Sequence, residues 1–477
     1  MKHLIPIFSA FLIMLLAGCT VGPKYARSTV PTAPVDAFKE ADGWKPAQPS
    51  DQLLRGNWWE MFGDPRLNAL ETELTVSNQD LKVASARFLE ARAIVHFNRA
   101  AQFPTISTSP GVGQVHYSAN TPLLPATSFT DLTLPFDLSY ELDVWGRVRR
   151  TVSASREEAQ ATAGDLATVN LSLHAELAYD YFELRSADAQ QQLLDDTVKT
   201  YQDALKLTVD RFEGGAAPKS DVAQAQTQLQ TTMVQDTDIA VQRAQFEHAI
   251  AVLIGKPPAA FSLPASPLNL PPPDVSPGLP SQLLERRPDI AAAERRVAEA
   301  NDQIGIARAA YYPTVILSAS GGFEGDTITN WFTWPSRFWA VGPSALETLF
   351  DAGRRRATST AARANYDGTV ANYRESTLMA FQQVEDNLAA LRILSHEAQQ
   401  QKEATASAEE SLQIFTNRYI GGRDPYLQVL TAQTIALQNE RNDVDILRRR
   451  MDASVLLIKA LGGGWTVSEL PKTTELR

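Results

Sequence analysis

Leu132-Thr133-Leu134-Pro135-Phe136-Asp137-Leu138-Ser139-Tyr140-Glu141-Leu142-Asp143-Val144 alternates apolar and polar side chains without a break. A period of two is that of a β-strand, whose successive side chains point to opposite faces. One face carries Leu132, Leu134, Phe136, Leu138, Tyr140, Leu142 and Val144, and the other carries Asp137, Glu141 and Asp143. A strand on a soluble core usually tolerates some polar side chains on its inner face. This one has none. At about 3.3 Å per residue it spans roughly 40 Å, enough to cross a bilayer at the usual barrel tilt. Asp137, Glu141 and Asp143 would then face a polar lumen. Pro135 falls on the polar face and weakens the local hydrogen bonding. The expected partner strand is Thr105 to Tyr117, made less regular by Pro110 and its glycines.

Working outward, the chain contains itself twice. Arg99-Ala100-Ala101-Gln102-Phe103-Pro104-Thr105 recurs as Arg308-Ala309-Ala310-Tyr311-Tyr312-Pro313-Thr314. Arg211-Phe212-Glu213-Gly214-Gly215 with Pro218 recurs as Arg418-Tyr419-Ile420-Gly421-Gly422 with Pro425. Ala225-Gln226-Thr227 returns as Ala432-Gln433-Thr434, and Leu253-Ile254-Gly255 as Ala460-Leu461-Gly462. So long a spacing marks duplication of a whole structural unit, not a solenoid. The expected organisation is a signal segment at 1–18, a lipidated N-terminal segment at 19–63, repeats at 64–256 and 281–465, a proline-rich linker at 257–280 and a tail at 466–477. In the second copy Val315, Leu317, Ala319 and Phe323 repeat the strand pattern. A weaker strand returns around Phe338 to Phe350, interrupted by Pro343 and Glu347. Trp331, Phe332, Trp334, Phe338 and Trp339 suit a membrane-interface girdle. Four strands cannot close a barrel, for which about eight is the practical minimum. Two or three chains sharing one barrel would both give an even count.

Proline placement outlines the helices. None of the 28 prolines lies between Pro135 and Pro218 or between Pro343 and Pro425. Each gap holds a helix of about 67 residues, Arg147 to Glu213 and Arg354 to Ile420, about 100 Å long at 1.5 Å per residue. A helix of that length exceeds any single globular core and implies a coiled-coil or tubular arrangement. Gly214-Gly215 and Gly421-Gly422 stop both, since glycine takes the left-handed C-terminal conformation freely. Pro218 and Pro425 suit the first turn of the helix that follows, with Asp424 as an N-cap. Each copy therefore ends in a helical hairpin with an exposed tip.

The single cysteine, Cys19, follows Leu16-Ala17-Gly18 at the end of an apolar run that begins behind Lys2. That run is too short to span a bilayer and has the length of a signal-peptide core. A cysteine there matches a lipobox, with lipid on the thiol and cleavage before it. The net charge of −11 argues against nucleic acid, whose phosphates call for a basic face. The six histidines are scattered. There is no zinc motif, phosphate loop or nucleophile elbow, so no cofactor, metal or catalysis is expected.

Taken together these residues resemble the TolC-type outer-membrane efflux proteins, in their lipoprotein branch (OprM/NodT-like). The likeness rests on Cys19-Thr20-Val21-Gly22-Pro23, Trp58-Trp59 with Phe62-Gly63-Asp64-Pro65, Arg286-Arg287-Pro288-Asp289-Ile290, Leu349-Phe350-Asp351-Ala352-Gly353-Arg354 and Ala460-Leu461-Gly462-Gly463-Gly464-Trp465. The resemblance implies a mixed α and β fold. Four strands per chain, shared in a homotrimer, make a transmembrane β-barrel, and a long α-helical periplasmic barrel continues it. It implies a passive conduit lipid-anchored in the outer membrane and exporting small molecules such as drugs. The tips Gly214, Gly215, Pro218, Gly421, Gly422 and Pro425 would meet a periplasmic membrane-fusion adaptor linked to an inner-membrane pump of RND type. It also implies a constriction after the second tip. Leu427 keeps the apolar position, while Gln428 and Thr431 stand where relatives often carry aspartate, leaving Asp221 as the acidic substitute. The alternatives are a conduit for type I protein secretion or a periplasmic coiled-coil lipoprotein without a channel.

Overall fold

The computed structural model describes residues 20–26, 38–41, 56–120, 127–273, 275 and 283–476. The expected signal segment 1–18 and Cys19 lie outside these. Seven long helices dominate: α1 (Pro65–Ser77), α2 (Gln79–Ala100), α3 (Arg147–Glu213), α4 (Lys219–Leu253), α5 (Pro288–Ala309), α6 (Arg354–Ile420) and α7 (Tyr426–Ala460). α3 and α6 have 67 residues each, with the bounds that the proline gaps and glycine pairs predict. α4 and α7 have 35 each, and α2 and α5 have 22 each. Local chemistry starts the shorter helices. The Asp64 carboxylate accepts from the Arg66 and Leu67 amides, and the Asn78 side chain accepts from the Leu81 amide. Both satisfy first-turn N–H groups that no helix can pair internally.

The sheet is antiparallel throughout: β1 (Thr105–Thr108), β2 (Gly111–Tyr117), β3 (Thr127–Leu142), β4 (Thr314–Gly325) and β5 (Arg337–Leu346). β1 and β2 run consecutively along one side of β3, with Thr108 opposite Phe136 and Gly111 opposite Thr133. The strand expected over Thr105 to Tyr117 is thus split at Ser109-Pro110, because proline has no N–H for the ladder. β4 takes the other side of β3, and β5 follows it. Two expected ends move inward. β3 stops at Leu142, and the returning strand stops at Leu346 without reaching Phe350.

The main core lies near the midpoints of the two longest helices. Leu177 and Phe182 of α3 and Val384 and Leu388 of α6 are buried there with Trp58, Phe62, Leu67 and Leu74 of the N-terminal region. Ile250 and Ile254 at the end of α4, and Met451 and Leu457 near the end of α7, complete it. The linker is anchored across this belt. Leu263 and Leu268 are buried, the Leu268 amide donates to the Arg185 carbonyl at 3.0 Å, and the Ser266 amide donates to Asp188 at 2.9 Å. Apart from a turn at Pro258–Ala260, its described residues 257–273 have no helix or strand, as their proline content predicts. Gly164, a blemish in α3 on propensity alone, has a packing reason. A Cβ there would lie 2.9 Å from the Pro288 carbonyl, so the glycine lets α3 and α5 approach.

Candidate functional site

The strand register sorts the sheet into two faces. Directly opposed residues share a face. Leu134 sits opposite Phe323, Phe136 opposite Gly321, Leu138 opposite both Ile106 and Ala319, and Tyr140 opposite Leu317. Gly321 in turn faces Trp339, and Ala319 faces Val341. At these positions the face is apolar and open, with Phe136 52% exposed and Trp339 79%, while Thr108 opposite Phe136 and Arg337 opposite Phe323 are its polar members there. The reverse face carries Asp137, Ser139, Glu141, Ser318 and Ser320, with the Ser320 hydroxyl donating to Asp137 at 2.6 Å. Asp137 and Glu141 therefore sit on the polar face. Glu141 is held by Arg147 at 2.6 and 2.9 Å. Asp143 does not belong with them. It lies past the end of β3, and its carboxylate accepts from the Val148 and Arg149 amides at 3.0 and 2.8 Å, capping α3. Asp351 does the same ahead of α6, accepting from the Gly353 and Arg355 amides.

The strand-to-helix corner also holds the chain that follows Cys19. The Val21 amide donates to the Trp145 carbonyl at 3.1 Å. Arg150 donates to the Val21 and Pro23 carbonyls and bridges Asp302 at 2.8 Å. Gly305 makes room, since a Cβ there would collide with the Arg150 side chain. Nothing in the local sequence around Arg150 marks this role. Its partners are remote in the chain.

At the opposite end of α3 and α6 the glycine pairs act as expected, with the second of each taking the left-handed conformation: Gly215 at φ 75 and Gly422 at φ 70. The Ala216 amide closes onto the Arg211 carbonyl at 2.8 Å, and Arg423 onto Arg418 at 2.9 Å. Pro218 and Pro425 occupy the N-cap position of α4 and α7, one residue before the first turn. Asp424 is not the cap. Its carboxylate takes the Arg418 guanidinium at 2.6 and 2.9 Å, which holds its pKa below the usual range.

Past the second tip, Tyr426, Val429, Ala432 and Gln433 turn inward, while Leu427, Gln428 and Thr431 are exposed. Leu427 is 52% exposed, and Thr431 stands one turn further along that open stripe. Asp221 lies elsewhere. It belongs to the buried stripe of α4 with Ala225 and Leu229, only 9% exposed, close to Tyr426. Burial, then Tyr419, Tyr201 and Asp221, push Tyr426 up to about 12. Asp221 is therefore not placed to add charge to the Leu427 stripe.

One buried polar pair escaped the sequence reading altogether. His174 of α3 and Glu71 of α1 meet at 2.5 Å, with Trp59 stacked on the imidazole at 4.3 Å. Burial raises Glu71 well above its ordinary value and lowers His174 to about 4. The pair sits in the belt core, remote from both the sheet and the tips. Among the described residues no group of histidine, cysteine and carboxylate side chains is arranged to hold a metal, and no helix is long and apolar enough to cross a membrane.

A sheet with one mainly apolar, exposed face, joined to helices about 100 Å long, defines a class: a chain with a sheet surface suited to lipid and a long helical extension. The sequence model of the outer membrane efflux protein family matches residues 71–256 and again 279–463. The chain belongs to that family. It is similar to the toluene efflux pump outer membrane protein TtgF of Pseudomonas putida, 34% identical over 484 residues, covering 98% of each chain. It is 31% identical to the outer membrane protein OprJ of Pseudomonas aeruginosa over 465 residues, covering 96% of this chain and 95% of that one. Among solved structures, the outer-membrane channel OprN superposes with a TM-score of 0.87 at 28% identity, covering 94% of this chain and all of that one.

Proposed function

We propose that the chain is the outer-membrane conduit of a tripartite efflux system, exporting small molecules when docked to a periplasmic adaptor and an inner-membrane pump of RND type. The observation that carries this reading is the two-faced sheet. Its apolar face suits lipid, and Asp137, Glu141, Ser318 and Ser320 on the other suit a water-filled lumen. One chain supplies a sheet four strands wide, so closure requires other copies, and three would give a twelve-stranded barrel. The two family-model matches and the equal helix lengths support an internal repeat, with units at 64–256 and 281–465 about a linker at 257–280 and a tail at 466–477. The helices would continue the barrel as a tunnel through the periplasm.

Residues 1–18 act as the signal, and Cys19 opens the lipidated segment 19–63. The main-chain bond from Val21 to Trp145 supports this, because it ties the chain to the corner where the sheet ends. Gly214, Gly215, Pro218, Gly421, Gly422 and Pro425 form the adaptor-facing tips, and Leu427 with Thr431 narrows the tunnel. The work is transport without catalysis. Insertion of the purified protein into planar bilayers tests the reading. Discrete single-channel conductance, together with antibiotic hypersensitivity of a strain lacking the protein, is expected. A trimer that inserts without conducting, or a monomer that never inserts, would refute it.

A further inference from the structure

Arg337 interrupts the apolar face of the sheet. It stands opposite Phe323, which stands opposite Leu134, so the three side chains share that face across β5, β4 and β3. Among the described strand residues of this face, Arg337 is the only one with a permanent charge. Its position is terminal. β4 begins just past α5 and β5 leads back to α6, so the β4–β5 turn lies at the end of the sheet remote from every long helix. The guanidinium lies 3.5 Å from the centroid of the Trp334 ring. Phe332 packs edge-on to Phe323 at 5.5 Å, and Ile328, Phe332, Trp334 and Trp339 are all exposed. Asp131, Glu324, Asp326 and Arg337 line one recess of about 300 Å³. Asp131 and Glu324 fall on the polar face. No ion pair to Arg337 forms among the described residues.

A permanent cation on a lipid-facing surface is costly within hydrocarbon and is tolerated at headgroup depth. Exposed tryptophan and phenylalanine prefer the same depth. The indole under the guanidinium fixes its plane and leaves its edge N–H groups free, a fork that matches phosphate oxygens. We propose that Arg337, seated on Trp334, binds the phosphate of an anionic glycolipid in the outer leaflet and sets the depth of the barrel rim. This rests on the reading of the apolar face as lipid-facing, and the test separates the two.

The full-length oligomer is reconstituted in phosphatidylcholine nanodiscs with traces of diphosphoryl lipid A or its dephosphorylated form, and lipid retained through detergent washing is quantified. Wild type is expected to retain the diphosphoryl form about tenfold better, the range of a charge-assisted contact. Arg337→Gln should erase the difference, Arg337→Lys should keep part of it, and Arg354→Gln, at the other end of the sheet, should keep all of it. Inorganic phosphate should compete weakly. Equal retention of both lipids by wild type, a difference that survives in Arg337→Gln, or full displacement by inorganic phosphate would each overturn the proposal. Quenching by brominated acyl chains, compared between wild type and Trp339→Phe, reports on the underlying reading. Loss of quenching in the variant keeps the apolar face in lipid whatever the phosphate result. Identical quenching in both would remove the ground beneath the proposal.

Discussion

The Arg211 guanidinium, at the end of α3, donates to the Ile420 carbonyl at the end of α6, 2.9 Å away, and lies 4.8 Å from the Tyr419 ring centroid. One side chain thus ties the first tip to the second. Tyr419 also packs edge-on against Tyr426 at 5.3 Å, so the bond continues into the helix that carries Leu427. A charge-assisted bond and a cation–π contact are each worth about 1–2 kcal/mol where water is partly excluded. Arg211→Ala should therefore speed amide exchange over Ile420 to Asp424 by roughly tenfold or more, while the melting temperature, set by the distant belt core, stays near that of wild type. Unchanged exchange would show that the tips are held by backbone closure alone.

The Glu71–His174 pair makes the belt sensitive to pH in a computable direction. Oε1 of Glu71 is buried without a partner, which favours the neutral acid donating to the imidazole. The folded pair then holds one proton between the lowered His174 value near 4 and the raised Glu71 value. An unfolded pair holds two protons below the ordinary glutamate value of 4.5, one up to the ordinary histidine value of 6.5, and none above. The depressed histidine contributes stability above pH 6.5 that is lost as pH falls towards 4. The raised glutamate contributes stability at low pH that is lost as pH rises through its folded value. The pair is thus most favourable between pH 4.5 and 6.5. Above that window stability should fall as pH rises, until the folded glutamate ionises. Glu71→Gln should abolish the alkaline loss and keep the acid one. Melting curves of the oligomer from pH 4 to pH 9 check this, and an alkaline slope retained by the variant would contradict it.

Much of this was legible in the chain, for identifiable reasons. The ends of α3 and α6 follow from missing prolines and paired glycines, which act locally whatever packs around them. The two faces of the sheet follow from a period of two. Asp143 shows where pattern reading stops: the alternation runs on to Val144, but the first amides of α3 claim the Asp143 carboxylate and end the strand. Asp221 shows another limit, since one residue in a tip motif does not reveal which stripe of α4 is buried. Glu71 and His174 are 103 residues apart, and only the fold brings them together. Arg211 carries a signal in the chain, though not one that reveals its partner. It recurs as Arg418 in the repeated tip motif.

Placement of Phe136 and Asp137 on opposite faces predicts opposite outcomes for the same substitution at neighbouring positions. Phe136→Arg puts a charge on the apolar face and should cost about 2–4 kcal/mol near the bilayer midplane. Asp137→Arg loses the Ser320 bond but leaves the charge in water, so folding should survive and ion selectivity should shift towards anions. Heat-resistant oligomer on gels and reversal potentials across bilayers report the two effects. Equal damage from both substitutions would refute the two-faced assignment.

Lipid on Cys19 would act through the short segment that Arg150 and Trp145 hold at the corner. Metabolic labelling with palmitate should mark wild type and leave Cys19→Ser unlabelled. Because a closed barrel holds itself in the membrane, the unlabelled variant should still assemble. Equal labelling of both proteins would exclude the lipobox.

The exposed stripe of Leu427 and Thr431 carries the gate prediction. Three copies of Leu427 meeting on an axis would form an apolar constriction that sheds water, a known way of closing a pore. Leu427→Ser should raise single-channel conductance and admit large antibiotics from outside. Thr431 donates its hydroxyl to the Leu427 carbonyl at 2.9 Å and stands exposed, so a carboxylate introduced there would sit on the open stripe. Thr431→Asp should create a ring of three like charges that favours cations and repels anions. Asp221→Asn serves as the contrast. Because Asp221 is buried on another stripe, its neutralisation should leave ion selectivity unchanged. Conductance and reversal potential of the three variants, measured in one salt gradient, decide the matter. If Leu427→Ser conducts as wild type does, the narrowest point lies elsewhere, and if Asp221→Asn alone alters selectivity, it lies on α4 and not on α7.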